Sequence, residues 1–319
     1  MQLRFWGVRG SIASPLSNAA LEAKLQALLK RAIRENIQSE EDLARFWGSL
    51  SLPERGTYGG NTSCLTVHDG DDFLVLDAGT GLRLFGKEIS SVAKPIHILI
   101  SHFHWDHISG FPFFAPAFEE QARIVIHSPT DDAEKYFTVQ QSGPFSPAEF
   151  EFLHAAIEFQ ISKGLDRKEI AGFRVSSLGT SHPGGSMAYR IEGANGGIVY
   201  MTDTELAAVG AEHIRKYSKF FNGATLAVVD TMYGLLETYT SKLRWGHSSV
   251  FPFIDIVRDT TVKTLVLFHH DPDLDDRGIE EMCERAQRYY EHNTPGGTMK
   301  IIAAYDGLEM DVPALNSHD

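Results

Sequence analysis

Cysteine and long apolar runs are what this sequence has least of. Only two of its 319 residues are cysteines, Cys64 and Cys283. This scarcity excludes a disulfide framework and a cysteine-rich zinc motif, so a metal site would need other ligands. No segment approaches the roughly 20 apolar residues of a membrane span, and the first residues do not form the apolar core of a secretory signal. We therefore expect a cytoplasmic protein with no membrane partner.

Basic residues are also in the minority, with 29 Lys and Arg against 42 Asp and Glu, and the formal net charge is -13. Proteins that bind nucleic acid irrespective of its sequence neutralise phosphates with Lys and Arg. The composition therefore argues against a long nucleic acid as the partner. A small anionic substrate stays compatible with it, because bound divalent cations would reverse the charge locally.

Short apolar segments separated by turns run through most of the chain, which is the pattern of strands. Residues 17–48 differ, because their leucines follow helical spacing. No low-complexity linker divides the chain. We therefore expect one domain over residues 1–319, with a helical insert at 17–52 and an α/β (α+β) architecture in which two packed sheets have helices outside. The predicted strands are Gln2–Trp6, Cys64–Val67, Phe73–Leu76, Ile96–Ile100, Arg123–Ile126, Phe173–Leu178, Met187–Ile191, Ile198–Met201, Leu226–Val229, Thr264–Phe268 and Met299–Ala303, and the later helices are Ser248–Arg258 and Arg277–Tyr290.

Four metal-competent side chains fall within six positions directly after the predicted strand Ile96–Ile100. They are His102, His104, Asp106 and His107. Alternation along an extended chain places the first two on one face, and a turn must then bring the other two round. A coincidental surface loop is the alternative, but such loops do not usually interleave aromatic residues between their polar ones. The cluster therefore predicts half of a two-metal site.

Three further ligand-type residues follow predicted strands at a distance in the sequence, namely His182, Asp203 and His269. Each would be an ordinary loop residue on its own, but together with the first cluster they indicate a complete site. His270 is an alternative to His269 as the ligand. The alternating spacing of Leu265, Leu267 and His269 favours His269, and His270 would then orient a ligand or contact the substrate.

The series His102-x-His104-x-Asp106-His107, His182, Asp203 and His269 resembles the metal motif of the metallo-β-lactamase superfamily of two-metal hydrolases. Leu76–Gly81 is similar to the turn that precedes this motif, and the resemblance covers nearly the whole chain. It implies an αββα sandwich of two packed mixed sheets with outer helices. It also implies that His102, His104 and His182 hold one metal, that Asp106, His107 and His269 hold another, and that Asp203 bridges both. Nitrogen and oxygen ligands favour Zn²⁺ and allow Mn²⁺ or Fe.

The superfamily cleaves lactams, thioesters, lactones and phosphodiesters, so the fold alone does not choose the reaction. The discriminating segment is Gly246-His247-Ser248-Ser249 before an apolar helix, where backbone N–H groups favour anions. The alternative is an ordinary helix start capped by one of the serines. Together with Asp230, which follows a predicted strand, the segment resembles the phosphodiesterase branch of the superfamily. That resemblance implies that His247 contacts the scissile phosphate and that Asp230 holds His247.

This branch includes endonucleases that trim transfer-RNA 3′ ends and phosphodiesterases that open cyclic phosphates. The chain lacks the Gly/Pro/Lys-rich arm of the former, which favours a small substrate such as a cyclic nucleotide or cyclic phosphate. Two ions roughly 3.5–4 Å apart would share a hydroxide that attacks phosphorus, and Asp106 could also steer it. Asn61, Ser248 and His270 are the candidate substrate contacts. The alternatives are a lactone or thioester hydrolase, an endonuclease of the transfer-RNA-processing type, and a non-catalytic binding module.

For two segments, the sequence leaves two structural interpretations open. The helical insert at 17–52 is either a lid over the site or a homodimer contact. The aromatic residues after the metal motif either line a base-sized pocket or belong to the core, and we expect most of them in the core; they are Phe111, Phe113, Phe114 and Phe118.

Overall fold

The computed structural model describes residues 1–89, 94–193 and 196–315, and within them fourteen strands form two sheets of seven. The first sheet has the order β14-β1-β2-β3-β4-β5-β6 and the second β13-β12-β11-β10-β9-β8-β7. The strands are β1 Gln2–Gly7, β2 Cys64–Asp69, β3 Asp72–Leu76, β4 Ile96–Leu99, β5 Arg123–Ser128, β6 Ala156–Ile161, β7 Lys168–Ile170, β8 Phe173–Thr180, β9 Ser186–Glu192, β10 Gly197–Met201, β11 Leu226–Asp230, β12 Thr264–Phe268, β13 Lys300–Ala303 and β14 Glu309–Asp311.

Both sheets are mixed, and each contains a block of four parallel strands. In the first sheet the block is β3 to β6, and in the second it is β10 to β13. The carboxyl ends of parallel strands meet at one edge of a sheet, where ligands of α/β proteins usually bind. Most of the predicted metal residues follow β4, β10 and β12. His182 follows β8, which runs in the same direction as β10 because both are antiparallel to β9, so the topology gathers all of them at such an edge.

Three apolar clusters place helices outside the two sheets. The middle cluster lies between the sheets and includes Phe5 of β1 and Phe268 of β12. In β12, Leu265 and Leu267 face the outer helices instead. Strands that are buried on both faces have continuous runs of apolar residues, and this explains why β10 to β12 consist almost entirely of apolar residues. The expected αββα sandwich of two mixed sheets is confirmed. The helices are α1 Asn18–Arg34, α2 Glu40–Ser49, α3 Leu52–Arg55, α4 Leu82–Glu88, α5 Trp105–Ile108, α6 Ala133–Gln140, α7 Ala211–Phe221, α8 Leu235–Tyr239, α9 Val250–Val257 and α10 Asp276–Asn293.

The segment from residue 17 to 52 is helical as predicted, comprising α1, α2 and the start of α3. Lys24 of α1 anchors it to the sandwich by donating to the carboxylate of Asp276 and to the carbonyls of Pro53 and Gly56. The outer face of α1 exposes Leu21, Leu25, Leu29 and Ile33. A contact between copies of the chain stays a prediction. No helix in the described ranges combines the length and apolarity needed to cross a bilayer.

Every strand predicted from the sequence is present, with ends shifted by a few residues. Strands β6, β7 and β14 and helices α4 to α8 were not predicted. All three strands are edges of their sheets, and β7 and β14 are short and largely exposed, so they lack the apolar pattern that identifies a buried strand.

Candidate metal centre

Two aspartates and one histidine that follow strands have an unusual backbone conformation, and their side chains lie in the space between the sheets. Asp77, Asp203 and His269 have φ of 58°, 50° and 61°, respectively. Side chains other than glycine rarely adopt positive φ, and such residues concentrate at functional sites. Asp77 and His269 directly follow β3 and β12, and Asp203 lies two residues after β10. The reversal lets each side chain turn from the strand into the space between the sheets.

Four residues form the first ligand group, which we call the open set because its His104 is exposed to solvent. His102, His104, His182 and Asp203 present ligand atoms that all lie within 4.8 Å of one another. The Nδ1 atom of His104 is 3.1 Å from Nε2 of His182. The Oδ1 atom of Asp203 is 3.5 Å from Nε2 of His102 and 3.6 Å from Nε2 of His182.

The second ligand group, the braced set, consists of Asp106, His107 and His269 and is buried. The Nε2 atoms of His107 and His269 are 3.2 Å apart. Asp106 Oδ2 lies 2.9 Å from Nε2 of His269 and 3.3 Å from Nε2 of His107. The three ligand atoms therefore converge on one point beside the open set.

Asp203 connects the two sets through its two oxygens. While Oδ1 faces the open set, Oδ2 lies 3.2 Å from Nε2 of His107 and 3.4 Å from Nε2 of His269. Ligand atoms around a tetrahedral zinc ion at about 2.0–2.1 Å lie roughly 3.3 Å from one another, so these spacings fit metal coordination. His102 Nε2 is also buried without a hydrogen-bond partner in the described structure. The donor set therefore suits two divalent ions bridged by one carboxylate.

The braced set takes its name from the groups that hold it. Asp77 is fully buried and accepts hydrogen bonds at Oδ2 from His107 Nδ1, Tyr200 Oη and Ser101 Oγ, at 2.7, 2.7 and 2.8 Å. The backbone N–H of Ser11, whose φ is 60°, donates to Asp106 Oδ2 over 2.7 Å. Carboxylates that bind the far nitrogen of a ligand imidazole fix its orientation and tautomer. The sequence did not predict the role of the Asp77 carboxylate or that of the Ser11 N–H.

The open set has a lighter support. His182 donates from Nδ1 to the carbonyl oxygen of Gly246 over 2.8 Å. Gly246 has a φ of 89°, and a side chain there would collide with the His182 ring. Its backbone N–H donates to the buried carboxylate of Glu205. A glycine is therefore required for the segment that precedes His247 to lie against the open set.

Burial governs the protonation of the open set. It holds the pKa of His102 well below its usual value, and it also lowers the pKa of His104 and His182. For Asp106 and Asp203 burial acts in the opposite direction, but the surrounding histidines outweigh it and hold the pKa of both carboxyls well below the usual range. Neutral imidazoles and ionised carboxylates are the forms that bind metal ions.

His247 lies beside both sets and is paired with Asp230. Its Nδ1 donates to Asp230 Oδ2 over 3.0 Å, and its ring stacks on His269 with centroids 5.0 Å apart. Asp230 is fully buried and also accepts from the backbone N–H groups of Thr204 and Met232, both at 3.1 Å. Burial lowers the pKa of His247, but the carboxylates of Asp230, Asp203 and Asp106 outweigh it and raise the pKa to about 9.

His247 also lies close enough to Asp203 and His269 to be considered a ligand itself. However, its Nδ1, which is 3.9 Å from Asp203, is the atom engaged by Asp230. The remaining nitrogen, Nε2, makes no hydrogen bond within the part of the chain that the structure describes. The contact with Asp230 therefore leaves Nε2 as the ring nitrogen that is open to a further partner.

The structure gives the predicted substrate contacts other partners. His270 is buried and donates from Nε2 to the carbonyl of Ala304 over 2.9 Å, outside both ligand sets. Asn61 donates from Nδ2 to Asp306, and its Oδ1 accepts from Thr80. Ser248 Oγ donates to the carbonyl of Thr204 and accepts from the N–H of Leu206. These side chains hold loops together, and we do not retain them as substrate contacts.

Asp271 and Asp273 directly follow the two adjacent histidines and form a turn of their own. Asp271 accepts a hydrogen bond at Oδ1 from the N–H of Asp273, which is the geometry of a solvated turn. The groups that orient rings are Asp77 for His107 and Asp230 for His247. Each of these two pairs joins residues that lie far apart in the chain and that the fold brings together.

Comparison with known proteins gives one sequence match and many structural ones. A model of the beta-lactamase superfamily domain matches residues 73–270, more than half of the chain. No curated protein matches the chain by sequence.

Similar solved structures cover nearly the whole chain at low sequence identity. A diphosphatase from the PhnP family has a TM-score of 0.62 at 16% identity, covering 98% of both chains. YhfI from Bacillus subtilis, a metallo-β-lactamase fold protein, has a TM-score of 0.61 at 16% identity, covering 97% of this chain and 99% of its own. The human short form of tRNase Z has a TM-score of 0.59 at 16% identity, covering 98% and 100%. At this identity the likeness shows a shared fold.

Proposed function

The chain belongs to the β-lactamase superfamily, and we propose that it is a two-metal phosphodiesterase that acts on a small anionic substrate. The observation that carries this proposal is the His247–Asp230 pair beside the two ligand sets. A carbonyl substrate needs one oxygen stabilised as charge develops, whereas a phosphodiester presents two non-bridging oxygens in addition to its leaving oxygen. A cationic imidazole next to a metal pair suits the second demand.

The ligand assignment follows the geometry. His102, His104 and His182 would hold one ion, Asp106, His107 and His269 would hold the other, and Asp203 would bridge them. Zn²⁺ suits these nitrogen and oxygen donors, and Mn²⁺ or Fe would also be accepted. Two such ions supply an ionised water at neutral pH and positive charge beside the phosphoryl oxygens.

His247 performs the remaining electrostatic and proton-transfer work. Because Asp230 accepts its Nδ1–H, the ring presents Nε2 to the substrate in a fixed orientation. Asp230 is itself held by two backbone N–H groups, so the pair cannot swing away. The Nε2–H donates to a phosphoryl oxygen and then supplies the proton that the departing oxygen needs.

Two further observations support phosphorus chemistry and a small substrate. The similar structures include a diphosphatase and a tRNase, whose names denote cleavage of a diphosphate and of transfer RNA, in both cases at a bond between phosphorus and oxygen. The net charge of -13 opposes a long nucleic acid, which would need many basic contacts. An endonuclease of the transfer-RNA-processing type and a lactone or thioester hydrolase are the alternatives that the experiment must separate.

The test is turnover of bis(p-nitrophenyl) phosphate by protein loaded with Zn²⁺, Mn²⁺ or Fe, with a lactone, a thioester and a transfer-RNA precursor as competing substrates. His247→Ala should lower kcat for the diester by about 10²–10³ while the metal content stays at two per chain. His213→Ala, which removes an exposed histidine of α7, is the matched control and should change neither quantity. Turnover of the lactone or thioester alone would refute the proposal, as would an unchanged diester rate in His247→Ala.

A further inference from the structure

A cavity of about 520 Å³ opens directly beside the open set. His102 and His104 line one end of it, and the other walls come from the loops that follow β5, β6 and β8. The volume exceeds what a scissile phosphate alone would need. The part of the substrate that is not at the metal centre therefore has a defined space next to it.

The polar groups of this cavity favour an anion. Lys163 lines it, and no carboxylate does. Within residues 1–89, 94–193 and 196–315, Lys163 makes no ion pair or side-chain hydrogen bond. Ser186 Oγ, at the same wall, is buried and also lacks a hydrogen-bond partner in that part of the chain. The ammonium of Lys163 is exposed to solvent at this cavity and is the group there that can bind an acidic substituent.

The apolar wall of the cavity is aromatic. Phe103 and Tyr136 meet edge to face with centroids 4.9 Å apart, and both line the cavity. Phe103 also contacts the buried ring of Phe137, which fixes this wall to the core. The cavity can therefore hold a ring or a sugar along one wall while Lys163 meets a charged group.

A second cavity on the other side of the centre has the opposite character. It also measures about 520 Å³ and begins at Tyr233, whose ring is 5.6 Å from that of His247. Its walls carry one arginine and four carboxylates, which belong to Glu237, Asp271, Asp273 and Glu281. Of these two cavities, the one with Lys163 is therefore the one suited to a second negative charge.

We propose that the substrate carries a second acidic group, a phosphate or a carboxylate, on the portion that occupies the cavity of Lys163 and Ser186. This inference rests on the proposed function, and it narrows the substrate class. A cyclic mononucleotide has a single acidic group, which the metal centre would hold, and Lys163 would be left without a partner. A diester with a further phosphate provides one acidic group for the metal centre and a second one for Lys163.

Two matched ligand pairs test the proposal. The first compares turnover of thymidine 5′-(4-nitrophenyl phosphate) with turnover of the same compound bearing a 3′-phosphate. The second compares binding of thymidine 5′-monophosphate and thymidine 3′,5′-bisphosphate to the metal-loaded protein by calorimetry. The extra phosphate should raise kcat/KM and affinity by about tenfold, the effect of one hydrogen bond to a charged group. Lys163→Ala should abolish that ratio, and Lys163→Arg should keep most of it. Lys135→Ala, on neighbouring α6, should leave it unchanged.

The outcomes separate this inference from the proposed function. Turnover without any preference for the second phosphate would overturn the inference alone. A tenfold binding preference that depends on Lys163, with no turnover of any diester, would support the inference and overturn the phosphodiesterase proposal. A preference that persists in Lys163→Ala, or the absence of binding by either nucleotide, would also overturn the inference.

Discussion

The open and braced ligand sets offer similar ligand atoms but differ in how the protein supports them. His107 and His269 are completely buried, whereas His104 of the open set is exposed and lines a cavity. Asp77 and the N–H of Ser11 fix the braced set, and Asp77 itself accepts hydrogen bonds from three other groups. In the open set, His182 donates to one backbone carbonyl, and Ser101 Oγ lies 3.1 Å from Nδ1 of His102. The braced set is therefore the preorganised half, and the open set faces the substrate.

This asymmetry has a physical consequence for metal binding. Groups that orient a ligand usually contribute 10- to 100-fold in metal affinity. We expect the ion in the braced set to bind more tightly and to exchange more slowly than the ion in the open set. Stepwise chelation should then remove the open-set ion first, and the substitutions of Asp203, Asp77 and Arg9 described below test this order of removal in different ways.

Asp203→Asn should have the largest effect, because this carboxylate faces both sets at once. The amide keeps the shape but removes the shared charge, so metal content should fall below two and kcat/KM should fall by at least ~10³. Elemental analysis and bis(p-nitrophenyl) phosphate kinetics measure both. Asp69→Asn, at a partly exposed carboxylate at the end of β2, is the control and should match the parent. Two ions bound at the parent affinity would show that the sets do not depend on the bridge.

Asp77→Asn should weaken the braced set selectively. The amide loses the charge that fixes the Nδ1–H of His107, so affinity at that set should fall about 10- to 100-fold while the open set is unchanged. A chelator titration with two resolved steps would then show the steps converging or exchanging order. Asp72→Asn, at the other end of β3, alters an exposed pair with Lys94 and should leave both steps in place. Equal weakening of metal binding at both sets would show that Asp77 does not support the braced set selectively.

The sequence located the ligand-type residues because strand ends are visible in an apolar pattern, and parallel strands bring their ends together. It did not reveal which neighbour would face the cleft. His269 and His270 are adjacent, but the φ of 61° at His269 turns it inward while His270 bonds to Ala304. Such a backbone reversal has no signature in residue type. The role of Asp77 depends on contacts with His107 and Tyr200, which are distant in the chain.

The cavity walls were harder still to predict. Most of the aromatic residues after the metal motif were expected in the core, but two of the four are exposed: Phe111 and Phe114 are buried, whereas Phe113 and Phe118 are not. The aromatic wall beside the metal centre comes instead from Phe103 and Tyr136, which no spacing rule connects. A pocket is formed by loops from several strands, so its composition follows from three-dimensional packing and not from any one segment.

Arg9→Lys tests whether the support of the braced set extends beyond its direct contacts. The buried guanidinium of Arg9 donates to the carbonyls of Gly59, Asp271 and Leu274, and the next two residues place the Ser11 N–H on Asp106. Lysine keeps the charge but cannot make this fork of bonds. We expect about tenfold weaker metal binding at the braced set and no change at the open set.

The control for this substitution is an arginine of β1. Arg4→Lys changes a partly exposed arginine that pairs with Glu88 and Glu309, and it should alter neither set. If Arg9→Lys and Arg4→Lys both leave the chelation steps unchanged, the braced set depends only on the groups in direct contact with it.

Asp306→Asn should have the smallest effect, on stability and not on activity. Asp306 accepts from the N–H groups of Gly60 and Asn61 and so holds the loop that Arg9 also binds. Burial raises the pKa of Asp306 to about 6, although these hydrogen bonds lower it. Because the folded pKa lies above the unfolded one, the folded state binds the proton more tightly. Stability relative to Asp306→Asn should therefore be greatest below pH 4 and should fall by on the order of 2–3 kcal/mol as pH rises to 6. Urea unfolding of both proteins across this range measures the difference, in which titration of the shared metal ligands cancels. A difference in unfolding free energy between the two proteins that stays constant with pH would mean that Asp306 does not titrate in this range.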